Sequence, residues 1–410
     1  MVLVSLTPRR LPLAILRTAA SHQLRWSSAG AYTLSTPFRR PSTADRSTAA
    51  AKRLTQATPA TRLNFASVSN LKGGVRPPRV LITGGLGQLG ISLANQLRSR
   101  YGVDNVVLSD VRKPDPTLPI AHPLGPFVYA DVTNYPLLER IVVDFQIDWV
   151  VHYSALLSAV AEKNPARALH VNIQGFQNVL ELARLHKLLV FCPSTIGAFG
   201  PSTPKDNVPD ITIQKPNTIY GITKVHTELL GEYYHEKFGV DFRSVRYPGI
   251  LSTDTLPGGG TTDYAIDIFH QAIKANRYEC FLNPDAKLPM MYIDDCIDGT
   301  IQFLEAPSSQ LTQRVYNMSA DSFSPEEVAA IIKQKYAPGF EMSYAPDFRQ
   351  AIAETWPATL NDDAARRDWG WRPNLTTDGI VEVMWNGIAQ LYKAKPATIQ
   401  TGAVSQAQVA

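Results

Sequence analysis

The sequence predicts an α/β fold in which a doubly wound parallel sheet is followed by a smaller C-terminal α/β unit. Three observations predict it. A strand, a tight glycine-rich turn and a helix follow one another between Arg79 and Ala94; apolar strand-length runs then alternate with helical stretches as far as Tyr247; and beyond Pro248-Gly249 the pattern changes to shorter strands between helices.

In RVLITGGLGQLGISLA, Val80 to Thr83 are apolar or β-branched and run into Gly84-Gly85-Leu86-Gly87-Gln88-Leu89-Gly90, after which Leu89, Leu93 and Leu97 keep a helical period. Glycines at 84, 87 and 90 permit a sharp turn, close approach to a pyrophosphate and helix-on-strand packing, while the N–H groups of the helix start supply partial positive charge. Taken alone the turn is either purely structural or the phosphate turn of a Rossmann arrangement; in the second reading a dinucleotide is the expected ligand, held around Gly84, Gly87, Gln88, Leu89 and Gly90. Asn105 to Asp110 reads as a second buried strand ending in an acid about 20 residues beyond the last glycine. A carboxylate there accepts from ribose hydroxyls and repels a 2′-phosphate, which selects NAD over NADP. Arg112 and Lys113 pull the other way, since a cation shelters a phosphate; Arg112 is placed among the cofactor contacts.

Phe127 to Val132 is a third strand, and Asp131-Val132 at its end either meets the adenine ring or, for Asp131, caps the helix starting near Asn134. Trp149 to Ser154 is a fourth, followed by small and apolar residues through Ser158. A helix spans about Pro165 to His186, with proline in its first turn. Leu188 to Cys192 is a fifth strand, and it delivers Ser194 and Thr195 to the carboxyl edge of the sheet, where ligands of such folds sit. In the next helix Tyr220 and Lys224 stand four apart and share a face. A cation beside a phenol favours phenolate, and such a tyrosine can take an alcohol proton while hydride leaves the same carbon. Phe242 to Tyr247 is a sixth strand. Gly258 to Asp263 form a loop before a helix over Tyr264 to Ala275, and Thr261, Thr262 and Asp263 there are either plain caps or ligands for the polar end of a substrate. Strands near 279–282, 289–293 and 314–318 with helices near 295–305 and 325–335 make up the second unit.

The formal charge of +4 is unevenly placed: residues 1 to 72 hold 11 Lys or Arg and one acid, so the rest of the 410-residue chain is acidic. The basicity belongs to the leader and does not describe a nucleic-acid surface. An Arg-rich, acid-poor start with only a short apolar run is the composition of a mitochondrial transit peptide, whose destination is the matrix. No run of 18 apolar residues occurs, which argues against a membrane partner. Cys192, Cys280 and Cys296 are odd in number and widely spaced, without a metal or disulfide signature. The expected division is a leader (1–72), a nucleotide-binding domain with the Tyr-Lys pair (77–250), a mainly substrate-binding domain (251–392) and a disordered tail (393–410).

GxxGxxG, Asp110, Ser194-Thr195 and Tyr220-x-x-x-Lys224 together resemble the extended short-chain dehydrogenase/reductase superfamily. Longer strings, among them ITGGLGQLG, HYSALLSAV, PSTIGAFGP, IYGITKVH, PGGGTTDYA and LPMMYIDDC, are similar to the short-chain L-threonine 3-dehydrogenases. The resemblance spans about Arg79 to Tyr392. It implies Tyr220 as catalytic base, Lys224 as the group that assists it and holds the nicotinamide ribose, and Thr195 as catalytic hydroxyl with Ser194 beside it. Ser158, Thr261, Thr262, Asp263 and Trp356 match positions used around the amino acid. The reaction implied is NAD-dependent oxidation of L-threonine to 2-amino-3-oxobutanoate, with no metal. That β-keto acid loses CO₂ or is cleaved by a 2-amino-3-ketobutyrate CoA ligase, and the resemblance also implies a homodimer formed through the Pro165 and Tyr220 helices. Glu162 has no assignable role. A nucleotide-sugar epimerase would share the Tyr-Lys pair but needs a grip on a nucleotide diphosphate, for which GGGTTDYA is small and uncharged; a non-catalytic NAD-binding subunit would tolerate a broken pair, and this pair is intact.

Overall fold

The structure, a computed structural model, describes residues 76–114 and 125–394. The leader over 1–72, and 395–410 of the tail, lie outside the described residues.

β1 (Val80–Thr83), α1 (Gln88–Tyr101), β2 (Val106–Asp110), β3 (Phe127–Tyr129), α2 (Tyr135–Asp144) and β4 (Trp149–His152) come first. A short α3 (Ser158–Lys163) precedes α4 (Pro165–Leu169), which continues through a π-helical turn, His170–Gln174, into α5 (Gly175–His186). β5 (Leu189–Phe191), β6 (Ser194–Thr195), α6 (Ile219–Phe238) and β7 (Asp241–Tyr247) follow. The main sheet runs β3-β2-β1-β4-β5-β7, every pair parallel, and β6 lies beside β7. The chain leaves β1 toward β2 and β3 on one side and returns to β4 on the other, so the order reverses between β1 and β4. In a doubly wound sheet that reversal opens a crevice at the carboxyl edge. There Thr83 and His152, the last residues of these two strands, pair in register and bond through Oγ1 and Nδ1 at 2.9 Å.

Alternation along the strands builds two cores. Val80, Ile82, Val106, Leu108 and Val151 face one cluster, and Leu81, Val107 and Val150 face the other. Successive strand residues point to opposite faces, so a sheet covered by helices on both sides needs the unbroken apolar runs seen here.

β8 (Gly249–Leu251), α7 (Tyr264–Ala275), β9 (Arg277–Cys280), β10 (Leu288–Tyr292), α8 (Ile293–Glu305), β11 (Val315–Asn317), β12 (Asp321–Phe323), α9 (Pro325–Lys335), β13 (Glu341–Tyr344), α10 (Phe348–Ala353), α11 (Asp363–Trp369) and α12 (Thr377–Ala394) complete the chain. β12, β10 and β8 form a three-stranded sheet, and β13 pairs with β9. Two expectations are corrected. The strand near 314–318 is β11, which pairs with β7 and so returns to the main sheet instead of staying in the second unit; its short apolar pattern carries no information about which edge it joins. Lys393 and Ala394, placed with the tail, are the last residues of α12.

Candidate active site

The turn after β1 is built by backbone. Gly84 has φ +65°, and a Cβ there would lie 2.7 Å from the Ser154 nitrogen; at Gly90 one would lie 2.8 Å from Gly85 Cα, so α1 packs directly on the turn. Gly87, the N-cap of α1, brings no side-chain cap, which leaves first-turn N–H groups for an anion. Gln88 adds a buried amide nitrogen, Nε2, that has no partner among the described residues. Leu89 packs against the larger core. Asp110, buried at the end of β2, accepts from the Leu86 N–H at 3.1 Å and the Arg112 N–H at 3.0 Å, and Arg112 Nε lies 3.4 Å from the same carboxylate. The acid thus steadies the glycine turn from which it is 24 residues distant, and Arg112 is drawn onto it. Uncapped amides, an orphaned donor and an acid at the ribose position fit NAD.

The alternatives at β3 are resolved in part. Asn134 caps α2, accepting from Leu137 N–H at 3.2 Å, while Asp131 accepts from the Thr133 N–H and hydroxyl in the preceding turn. The Val132 side chain is buried in the core against Gly175.

The chemical side gathers where α6 crosses the ends of β5 and β6. Thr218 caps α6, its Oγ1 accepting from Gly221 N–H at 3.1 Å. Lys224 Nζ donates to the Pro193 carbonyl at 2.7 Å and stands 5.7 Å from the Tyr220 ring centroid. Thr195 Oγ1 accepts from Gly197 N–H at 3.1 Å, and a Cβ built on Gly197 would touch both Thr195 Oγ1 at 3.6 Å and Tyr220 Cδ1 at 3.8 Å. Gly197 therefore marks the gap between the threonine hydroxyl and the tyrosine ring. Two buried groups that feel Lys224 are held neutral: burial, with the ammonium's help, drives His152 down to about 3, and burial lifts Cys192 to about 11 against the pull of the same ammonium.

Ser194 parts from Thr195. It is 2% exposed and donates to Glu228, whose carboxylate also accepts from Arg246 Nε and Nη2 at 3.0 and 2.8 Å and from Gln214 at 2.8 Å. Adjacent strand residues face opposite sides, so with Thr195 turned to Tyr220 the Ser194 hydroxyl lies in the network beneath. The hydroxyl expected to stand with Thr195 against substrate is thus the one that bonds Glu228. Glu228 and Arg246 escaped notice, although Tyr220, Lys224 and Glu228 repeat every four residues along one helix face.

From the second unit, Thr262 reaches the β7–β8 turn, where a Cβ on Gly249 would meet its Cγ2 at 2.9 Å. Thr261 is buried, and Asp263 accepts from Gly258 and Gly260 N–H at 2.6 and 2.8 Å, fastening the glycine loop. Trp356 packs with Ile196, Phe199, Val208 and Leu360. Lys205, which no motif singled out, donates to the Glu354 and Trp356 carbonyls at 2.5 and 3.1 Å, and backbone bonds join Lys205 and Val208 to residues 358–361. Ser158 opens α3, half-buried.

Residues 80–319 match the NAD dependent epimerase/dehydratase family. The mitochondrial L-threonine 3-dehydrogenase of Bos taurus is 54% identical over 309 residues, 75% of this chain and 82% of that protein. The chain belongs to this family, in its threonine dehydrogenase branch. Among solved structures, the L-threonine dehydrogenase of Phytophthora infestans superposes with a TM-score of 0.73 at 52% identity, over 76% of this chain and 99% of that one. The holo form of a GalE-like L-threonine dehydrogenase from Cupriavidus necator gives 0.72 at 44% identity, over 76% and 100%. The described cleft is thus that of an NAD-dependent oxidoreductase fold, and the glycine turn, Asp110 and the Tyr-Lys pair all fall within the matched segment.

Proposed function

We propose that the chain oxidises the 3-hydroxyl of L-threonine with NAD to give 2-amino-3-oxobutanoate. The observation that carries this reading is the meeting of Tyr220, Lys224 and Thr195 at the carboxyl edge of the sheet, one strand-end away from an uncapped glycine turn. Gly84, Gly87, Gln88, Leu89, Gly90, Asp110, Arg112, Asp131, Val132 and the Tyr220-Lys224 pair are the residues that hold NAD. NAD bound there supplies the acceptor for hydride leaving the substrate's Cβ. Tyr220 takes the hydroxyl proton, and the Thr195 hydroxyl fixes the reacting oxygen. Lys224, anchored on Pro193, puts positive charge beside the oxygen that carries the negative charge before proton uptake. Ser158, Thr261, Thr262, Asp263 and Trp356 surround the amino acid; Asp263 contributes by holding its loop, and Ser194 by bonding Glu228 beneath the site.

Exposed Leu169 on α4, Leu185 on α5 and Ile222, Leu229 and Tyr233 on α6 supply an apolar face for a homodimer. The basic leader supports import into the mitochondrial matrix, where a CoA ligase consuming the unstable product is a fitting partner. The test is NADH formation from L-threonine, with allo-threonine, serine and a UDP-sugar as controls. Turnover of L-threonine is expected, and its absence overturns the proposal.

A further inference from the structure

Glu162 stands one turn beyond Ser158 on α3, and its Oε1 accepts the backbone N–H of Ile219 at 2.7 Å. Ile219 is the first residue of α6, and the N–H groups of a first helical turn have no acceptor inside their own helix. The helix that carries Tyr220 is therefore capped twice. One acceptor is its own Thr218, which takes Gly221 N–H at 3.1 Å; the other comes from an element 57 residues earlier. No ion pair engages Glu162 among the described residues, so its recorded partner is this amide.

The same segment is tied to α6 on the other side of Ser158. Asn172, buried in the π-helical turn, accepts from Leu156 N–H at 2.8 Å and donates through Nδ2 to the Leu156 carbonyl and to Thr223 Oγ1, both at 3.1 Å. Thr223 Oγ1 in turn donates to the carbonyl of Tyr220 at 2.8 Å. A π-helical turn adds a residue to one turn and redirects the side chains around it; here Asn172 is aimed at both the Leu156 backbone and α6. Residues 156–162 are thus bracketed: Asn172 links their beginning to the Tyr220 turn, and Glu162 links their end to the residue before Tyr220.

We propose that Glu162 is a positioning residue for the reaction: by holding the first turn of α6 it fixes the Tyr220 phenol relative to the α3 segment that carries Ser158. The proposal rests on Tyr220 as the base and Ser158 as a substrate contact. A displacement confined to the first turn of α6 moves the proton acceptor against the substrate, while the glycine turn on β1 and α1 is untouched and Lys224, one turn further along, stays tied to the Pro193 carbonyl at 2.7 Å.

The test uses the full chain and compares Glu162→Ala, Glu162→Gln and Tyr220→Phe with the parent enzyme for kcat, for KM of L-threonine and for NAD⁺ affinity by fluorescence quenching. Misplacement of a reacting group by about 1 Å costs on the order of 100-fold in rate, so Glu162→Ala is expected to lose about 10- to 100-fold in kcat. Its NAD⁺ affinity is expected to stay within about twofold, the signature of a lost transition-state arrangement and not of lost binding. Glu162→Gln keeps an oxygen that accepts the Ile219 N–H and is expected to recover most of the rate. Should the alanine variant not fold, Glu162→Asp, one methylene short of Ile219, replaces it with the same expected ordering. A parental kcat in the alanine variant overturns the proposal, and so does a glutamine variant as impaired as the alanine one. Tyr220→Phe separates the premises: if it is inactive while Glu162→Ala is normal, only the positioning role falls; if it is active, the base assignment falls.

Discussion

The two rims of the cleft are made differently. The rim proposed for the cofactor is a backbone construction of neighbouring sequence: a glycine turn, the start of α1, and an acid 24 residues away that accepts from the turn itself. The rim proposed for the substrate is assembled from segments far apart. Lys205 holds carbonyls 149 and 151 residues away, and Asn207 N–H donates to a hydroxyl 152 residues away. One rim owes its shape to the absence of side chains, the other to side chains that reach across the fold. The first is therefore intolerant of added atoms, and the second of lost ones.

The largest effect expected on cofactor binding tests that intolerance. In Gly90→Val the new Cβ meets Gly85 at 2.8 Å, so α1 is pushed from the turn, and NAD⁺ affinity is expected to fall by about 100-fold or more in a titration, since a bulky residue where backbones touch costs several kcal/mol. Parental affinity would show that the turn is not the NAD site. Asp110→Ala comes next: removing the acceptor of Leu86 N–H and the acid that repels a 2′-phosphate is expected to weaken NAD⁺ about tenfold and narrow the preference over NADP⁺. An unchanged preference ratio would contradict the role given to the acid. On the other rim, Lys205→Met removes the donor that fixes Glu354 and Trp356; KM for L-threonine is expected to rise about fivefold with NAD⁺ affinity unaltered. A change in NAD⁺ affinity instead would erase the distinction between the rims.

The smallest effect concerns the reversal point between β1 and β4, where the two rims adjoin. Buried His152, at about 3, lies below its ordinary 6.5. Between those values the unfolded chain binds a proton that the folded one refuses, so folding stability falls as pH falls through that window, by at most about 1.4 kcal/mol per pH unit. His152→Asn is expected to flatten the decline of the unfolding midpoint from pH 6.5 toward acid, measured by thermal denaturation. An equally steep decline in the variant would show that His152 titrates freely in the fold.

The same contrast explains what was legible beforehand. The order of β1 to β5 and β7, the Tyr220 helix and the Pro165–His186 helix follow from local period, because each of these elements announces itself within its own residues. The π-helical turn in that long helix does not, since an inserted residue leaves the apolar set almost unchanged. Strand alternation requires Ser194 and Thr195 to face opposite ways, yet it took Glu228 and Arg246, from α6 and β7, to decide which one lies underneath. β11 reads as a strand but not as a member of the main sheet, because its partner β7 lies some 70 residues earlier. Glu162 was visible as an unexplained acid; only the fold brings it to Ile219.

Proton removal by Tyr220 at a cleft that holds NAD on backbone is tested most directly by measuring NADH formation from L-threonine and NAD⁺ binding on the same preparations of the parent and Tyr220→Phe. Loss of the general base is expected to lower turnover by about 10²- to 10⁴-fold with NAD⁺ binding still measurable. Near-parental turnover in the phenylalanine variant would contradict the assignment of Tyr220.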